Sequence, residues 1–223
     1  MDDILGTCFR IFYWMTGTSG ILLNGLLLFL ILLKTPSNLS NFSVVIANTV
    51  MIDFLKAIGF MLLQPRMLIF NLIFAYSSMG PIAAMGSTCS YVVLMIILSL
   101  IFYEFMSMPF GFIYRYHAMM NNQPTKKKMF SIIAITLTFT IAQFTSSILV
   151  MSEPQELVQL VSKHFHGINL TDCIIFGSNG NKEPLAVVTL IAICVTPFPA
   201  HIVCLYFRSK VLILQLIDLN RQI

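Results

Sequence analysis

The polar positions of this chain gather into short clusters that separate five long apolar runs. Residues 11–33 hold no Asp, Glu, Lys or Arg and end at Lys34, followed by the turn-forming Thr35, Pro36, Ser37 and Asn38. A second run covers residues 42–63 and is closed by Gln64, Pro65 and Arg66; the third, fourth and fifth cover residues 85–113, 129–151 and 185–207. Each approaches or exceeds the roughly 20 residues that carry an α-helix through a bilayer. The third run is the axis, because Cys89 and Arg115 stand 26 positions apart. At helical rise that is about 39 Å, so the cysteine belongs to one face of the membrane and the arginine to the other. Pro109 predicts a kink near the end of this helix, and Pro197 and Pro199 break the fifth.

The segments between the runs are less regular. Residues 67–80 have too short an apolar core to cross, and Tyr76, Ser77, Ser78 and Gly80 mark them as a connection in the interface or over the outer mouth of the bundle. Residues 152–184 form the one long polar stretch, read as a loop. Residues 208–223 are too short and polar to span, and either continue the fifth helix or lie on the membrane. The pattern therefore predicts an all-α polytopic membrane helix bundle, one domain over residues 1–223.

Composition supports lipid as the solvent. The chain is 57% hydrophobic and 10% charged, against about 25% charged in soluble domains. Its net charge of +4 forms no basic stripe, which gives no sign of a nucleic-acid partner. Five cysteines without a CxxC argue against a structural metal, and His164, His166 and Asp172 lie in a polar stretch without a third ligand at metal spacing. No GxSxG, HExxH or phosphate loop is present, so neither catalysis nor a cofactor is expected. The acidic opening MDDILGTCFR reads as a retained first span, not a cleaved signal.

Charge also orients the bundle. With the amino terminus outside, inner segments hold eight Lys and Arg residues and outer segments four. The sequon at Asn169 then faces outward, while those at Asn38 and Asn41 face the cytoplasm. Cys89 and Cys173 fall on the outer side, where a bridge would tie the polar stretch over the third helix; two unpaired structural cysteines is the alternative. Ionisable groups within spans are costly and face the interior or each other. Asp53 and Lys56, three residues apart, share a helical face and either pair together or serve a functional role; Asn24 bonds a neighbouring helix, and Glu104 with Asp53 would be the elements of an ion relay if the chain were a transporter. A ligand pocket is expected between the outer halves of spans two, three and five, with Tyr91, Met95 and Thr196 as depth-based candidates.

An Asn in span one, an Asp in span two, a Cys opening span three, Tyr114-Arg115-Tyr116 closing it and a Cys after span four resemble a heptahelical G-protein-coupled receptor. The runs LNGLLLFLILLKTPSNLSNFSVVIANTVMIDF, GPIAAMGSTCSYV, PFGFIYRYHAMMN and TPFPAHIVCLYFRSK resemble the nematode serpentine chemoreceptors of class delta. The resemblance implies a rhodopsin-like seven-helix architecture of which five spans are present, with the chain read as truncated after the fifth. It implies a small odorant- or pheromone-like ligand, a heterotrimeric G protein, the plasma membrane and sensory cilia. It places Arg115 and Tyr116 at the G-protein face, Cys89 and Cys173 in an extracellular bridge, and Asn24 with Asp53 in a polar network. Tyr114 stands where rhodopsin-like receptors carry an acid, which leaves Arg115 without that local partner. Arg115 suits a two-position switch, with a positive-inside anchor as the plainer alternative. The other functional class is a short receptor-like protein that associates with full-length receptors as an oligomer and alters their folding or trafficking.

Overall fold

In the computed structural model, residues 2–36, 40–120, 122–165 and 174–222 are described. The chain runs α1 (Asp2–Lys34), α2 (Ser40–Leu63), β1 (Pro65–Phe70), β2 (Ile73–Ser78), a short 3-10 turn (Pro81–Met85), α3 (Ser87–Ser107), α4 (Pro109–Met119), α5 (Lys126–Ile148), α6 (Pro154–His164), β3 (Ile174–Asn179), α7 (Pro184–Val195) and α8 (Pro197–Gln222). Among the described residues, five helical stretches are long and apolar enough to cross a membrane: Gly6–Lys34, Asn41–Leu63, Ser87–Met119, Lys126–Ile148 and Pro184–Leu216. The molecule is a helical membrane bundle.

The first helix starts earlier than residue 11, at Asp2, since nothing before Ile11 breaks a helix. Pro109 and Pro197 divide the third and fifth spans as expected. Proline lacks the N–H that would close the turn, yet Met108 and Thr196 keep helical backbone and bond back to Glu104 and Ala192, so each span continues through its proline. The tail continues the fifth span as α8.

The connection at residues 67–80 is more ordered than its composition suggested. β1 and β2 form an antiparallel hairpin turning at Asn71 and Leu72, with φ of 42° and 62°. Positive φ at both central positions makes this the tight primed turn that matches strand twist. β3 adds to β2, giving a three-stranded sheet in the order β1-β2-β3. The stretch read as a polar loop thus contains a strand and also the amphipathic helix α6. Pro154 opens α6, and Leu157 and Val161, one turn apart, are fully buried.

Alternation along the strands gives the sheet two covered faces. Phe74, Tyr76 and Phe176 pack on Leu63 of α2 and on Tyr91, Leu94 and Met95 of α3. Ile73, Ala75 and Ile175 face the other way, onto Leu157 and Val161. The order is therefore bundle, sheet, α6: a two-layer lid on the end where α2 finishes and α3 begins. Burying Leu157 and Val161 contributes about 2 kcal/mol each to holding α6 down. Gly177 permits the central pairing; its φ is 150°, and a Cβ there would stand 2.0 Å from the Phe74 carbonyl oxygen.

Candidate ligand site and signalling face

Beneath the lid, between α3, α5 and α7, lies a cavity of about 30 Å³ whose walls include Tyr76, Tyr91, Met95, Ser147, Thr189 and Ile193. Its position follows from the register. Tyr76 and Phe74 point down from β2, while Tyr91 and Met95, one turn apart on α3, point up and inward. Two of the three candidates, Tyr91 and Met95, line it. Thr196 does not; its hydroxyl bonds the Ala192 carbonyl in its own helix, just before Pro197. Nor does span two contribute a wall, because the sheet occupies the space expected of it.

Among the described residues no charged side chain lines this space. The Tyr91 hydroxyl donates to the Ser147 carbonyl oxygen at 2.6 Å and the Thr189 hydroxyl to the Ala186 carbonyl oxygen at 2.9 Å. With those hydroxyls engaged, the walls present mainly apolar surface. Burial pushes the Tyr76 phenol above its ordinary value, which keeps it neutral. A volume of this size holds about one water, so any larger guest requires the lid or a helix to move.

From the cavity a polar seam follows α3 toward the opposite face. Ser99 Oγ donates to Gln143 Oε1 at 2.8 Å, and Gln143 Nε2 donates to Ser147 Oγ at 2.8 Å, joining α3 to α5. One turn beyond Ser99, the Tyr103 hydroxyl donates to Asn48 Oδ1 at 2.8 Å, joining α3 to α2. Next to it Lys56 Nζ lies 2.8 Å from Asp53 Oδ1 and also pairs with Glu104 Oε2. The i,i+3 pair expected on α2 is thus formed, and Glu104 completes a triad that spacing on one helix gave no means to find. Asn24 is a correction: its side-chain amide donates to the Gly20 carbonyl oxygen at 2.9 Å within α1, and no bond to Asp53 forms. The local carbonyl takes up one of the amide's two N–H groups without a second helix. What α1 offers α2 is close approach, since a Cβ on Gly17 would meet the Met61 Cβ at 2.8 Å.

At the far end, the exposed Arg115 guanidinium sits 5.7 Å above the centre of the Phe42 ring, which also stacks on the buried Tyr114 ring at 5.0 Å. Tyr116 meets Phe207 of α8 edge-on at 5.5 Å. Arg115 therefore rests on α2 while Tyr116 ties α4 to the fifth span. Cys89 lies at the lid end with its thiol 3.9 Å from the Met85 sulfur and no disulfide among the described residues. Cys173 and Asn169 lie outside the described residues.

Residues 9–221 match the family model described as serpentine type 7TM GPCR chemoreceptor Srd. The chain belongs to the Srd chemoreceptor family. Serpentine receptor class delta-1 of Caenorhabditis elegans is 24% identical over 86% of this chain and 54% of its own length. Serpentine receptor class delta-18 of the same organism is 22% identical over 92% of this chain and 62% of its own, and delta-33 is 35% identical over 44% of this chain and 28% of its own. The chain spans between half and two-thirds of the first two relatives. No solved structure matches it. The Srd family is one of receptors, not enzymes, and this member is a multi-pass membrane protein.

Proposed function

We propose that this Srd protein acts in a chemosensory receptor that detects a small uncharged external molecule in the cavity around Tyr91 and Met95 and passes the signal to a heterotrimeric G protein at the Arg115 end. The observation that carries this reading is the lidded, charge-free cavity at one end of α3, with a hydrogen-bonded seam leading down the same helix. The lid end is extracellular, the membrane is the plasma membrane, and sensory cilia are its site of action. Cys173 immediately precedes β3, whose first residue Ile174 pairs with Ser78 close to the start of α3. That adjacency supports a Cys89–Cys173 bridge as the covalent stay of the lid, and the sequon at Asn169 would carry its glycan on the same side. Arg115 moves between the Phe42 face and the G protein, a two-position element of the kind switches use.

The test is calcium imaging of cells expressing the protein with a G protein, challenged with small neutral volatiles and matched charged analogues. Met95→Trp, which fills the cavity, should abolish the response to any active compound at unchanged surface delivery. Arg115→Gln should preserve ligand binding and lower signalling. A response that survives Met95→Trp moves the ligand site elsewhere.

A further inference from the structure

A second cavity, of about 250 Å³, opens at the Arg115 end between α4, the turn that follows it and the start of α5. We propose that it binds the headgroup and upper chain of an anionic phospholipid. Its lining changes character along the helices. Phe110, Ile113 and Ile132 are apolar and partly buried, while His117, Gln123 and Lys128 stand nearer the turn, the last two exposed. Lys128 stands one helical turn from Ile132, and His117 two turns from Phe110, so apolar wall gives way to cationic and amide wall over about 10 Å. A bare phosphate has no use for the apolar wall, and an uncharged lipid has none for the cationic one. An amphiphile that carries negative charge at the level where its acyl chain begins uses both.

Size and charge agree with that occupant. The cavity equals about eight liquid-water volumes, enough for a polyatomic group. Lys126, Lys127 and Lys128 are exposed and contribute to none of the ion pairs among the described residues, which use Lys56 and Lys182. A bond from the Asn122 amide to the His117 carbonyl oxygen, at 3.0 Å, holds the turn that shapes the mouth. Basic pockets between helices on the cytoplasmic side are where anionic headgroups dock. Because the site adjoins Arg115 and Tyr116 on α4, a lipid seated there bears on the same helix as the proposed signalling face.

The full chain, purified in a neutral detergent, is titrated with short-chain phosphatidylinositol bisphosphate, phosphatidylserine and phosphatidylcholine, and separately with inositol trisphosphate and inorganic phosphate. The anionic lipids should bind at least tenfold more tightly than phosphatidylcholine and than the lipid-free anions. Lys128→Gln should weaken the anionic lipids at least tenfold, Lys128→Arg should retain them, and Lys163→Gln at the lid end should change nothing. Ile132→Ser, which leaves every charge in place, should erase the preference for lipid over inositol trisphosphate. Equal binding of phosphatidylcholine, equal binding of inositol trisphosphate by the native chain, or full binding by Lys128→Gln overturns the proposal.

Discussion

Lys56 is the residue on which the interior polar contacts depend most, because it alone separates two carboxylates. Replacing it with Met leaves Asp53 and Glu104, each about a third exposed, facing each other within the bundle without a counter-charge. The expected loss is about 1–2 kcal/mol, between the exposed and the fully buried limits, read as a fall in thermal unfolding temperature in detergent. Adding Asp53→Asn and Glu104→Gln to Lys56→Met should recover most of that loss, since no charge then remains in the cluster. A second residue carries strain of a different kind. Leu72 holds φ at 62°, a region costly for a side chain with a Cβ, so Leu72→Gly should raise stability by about 1 kcal/mol; a loss of stability would show that the exposed leucine makes contacts that outweigh its backbone cost. How much of this was readable differs by residue. Asp53 and Lys56 declared themselves through cost and spacing on one helix. Glu104 did not, because its partner lies 48 positions away and only packing of α3 on α2 brings it within reach. Asn24 misled because an amide in a span bonds its own helix as readily as a neighbour.

Among the elements, the lid is where sequence and structure diverge most. Spans were legible because lipid demands long uninterrupted apolar runs, whereas the sheet strands are only six residues each, and β2 and β3 are buried on both faces, which hides their alternation. Asn71 between two apolar runs was the available signal for the hairpin, and Pro154 with Leu157 and Val161 the one for α6. Gly177→Ala should separate β2 from β3, because the added methyl would strike the Phe74 carbonyl, and raise amide exchange in both strands while leaving the five spans protected. At the other edge of the lid, Glu156 accepts hydrogen bonds from Lys182 at 2.7 Å and from the Asn179 side-chain amide at 3.2 Å, pinning α6 to the end of β3. The Lys182 ammonium, with the Asn179 amide second, holds the Glu156 carboxyl below its ordinary value. A carboxyl depressed by folding stabilises at pH above its unfolded value, here about 4.5, and loses that contribution as pH falls through the folded value. Exchange in α6, corrected for intrinsic rate, should therefore be flat from pH 7 to 5 and rise as pH falls below the unfolded value, and Glu156→Gln should remove that step.

For the whole molecule, the charge distribution predicts which way the bundle stands. The connectivity puts Lys34, Arg115, Lys126, Lys127, Lys128, Arg208 and Lys210 at the end opposite the lid, while the lid end carries Glu153, Glu156 and Glu183 against Arg10, Arg66, Lys163 and Lys182. Cations held on the cytoplasmic side set orientation during insertion, so the lid should emerge outside. Three sequons report on it independently: Asn169 belongs to the lid-side stretch, Asn38 and Asn41 to the opposite turn and the start of α2. Translation into microsomes should give one glycan, lost in Asn169→Gln and unaffected by Asn38→Gln with Asn41→Gln. Modification at Asn38 or Asn41 would turn the molecule over. The cavity around Tyr91 would then face the cytoplasm, and the receptor reading, which needs that cavity outside and Arg115 within, would fall with it.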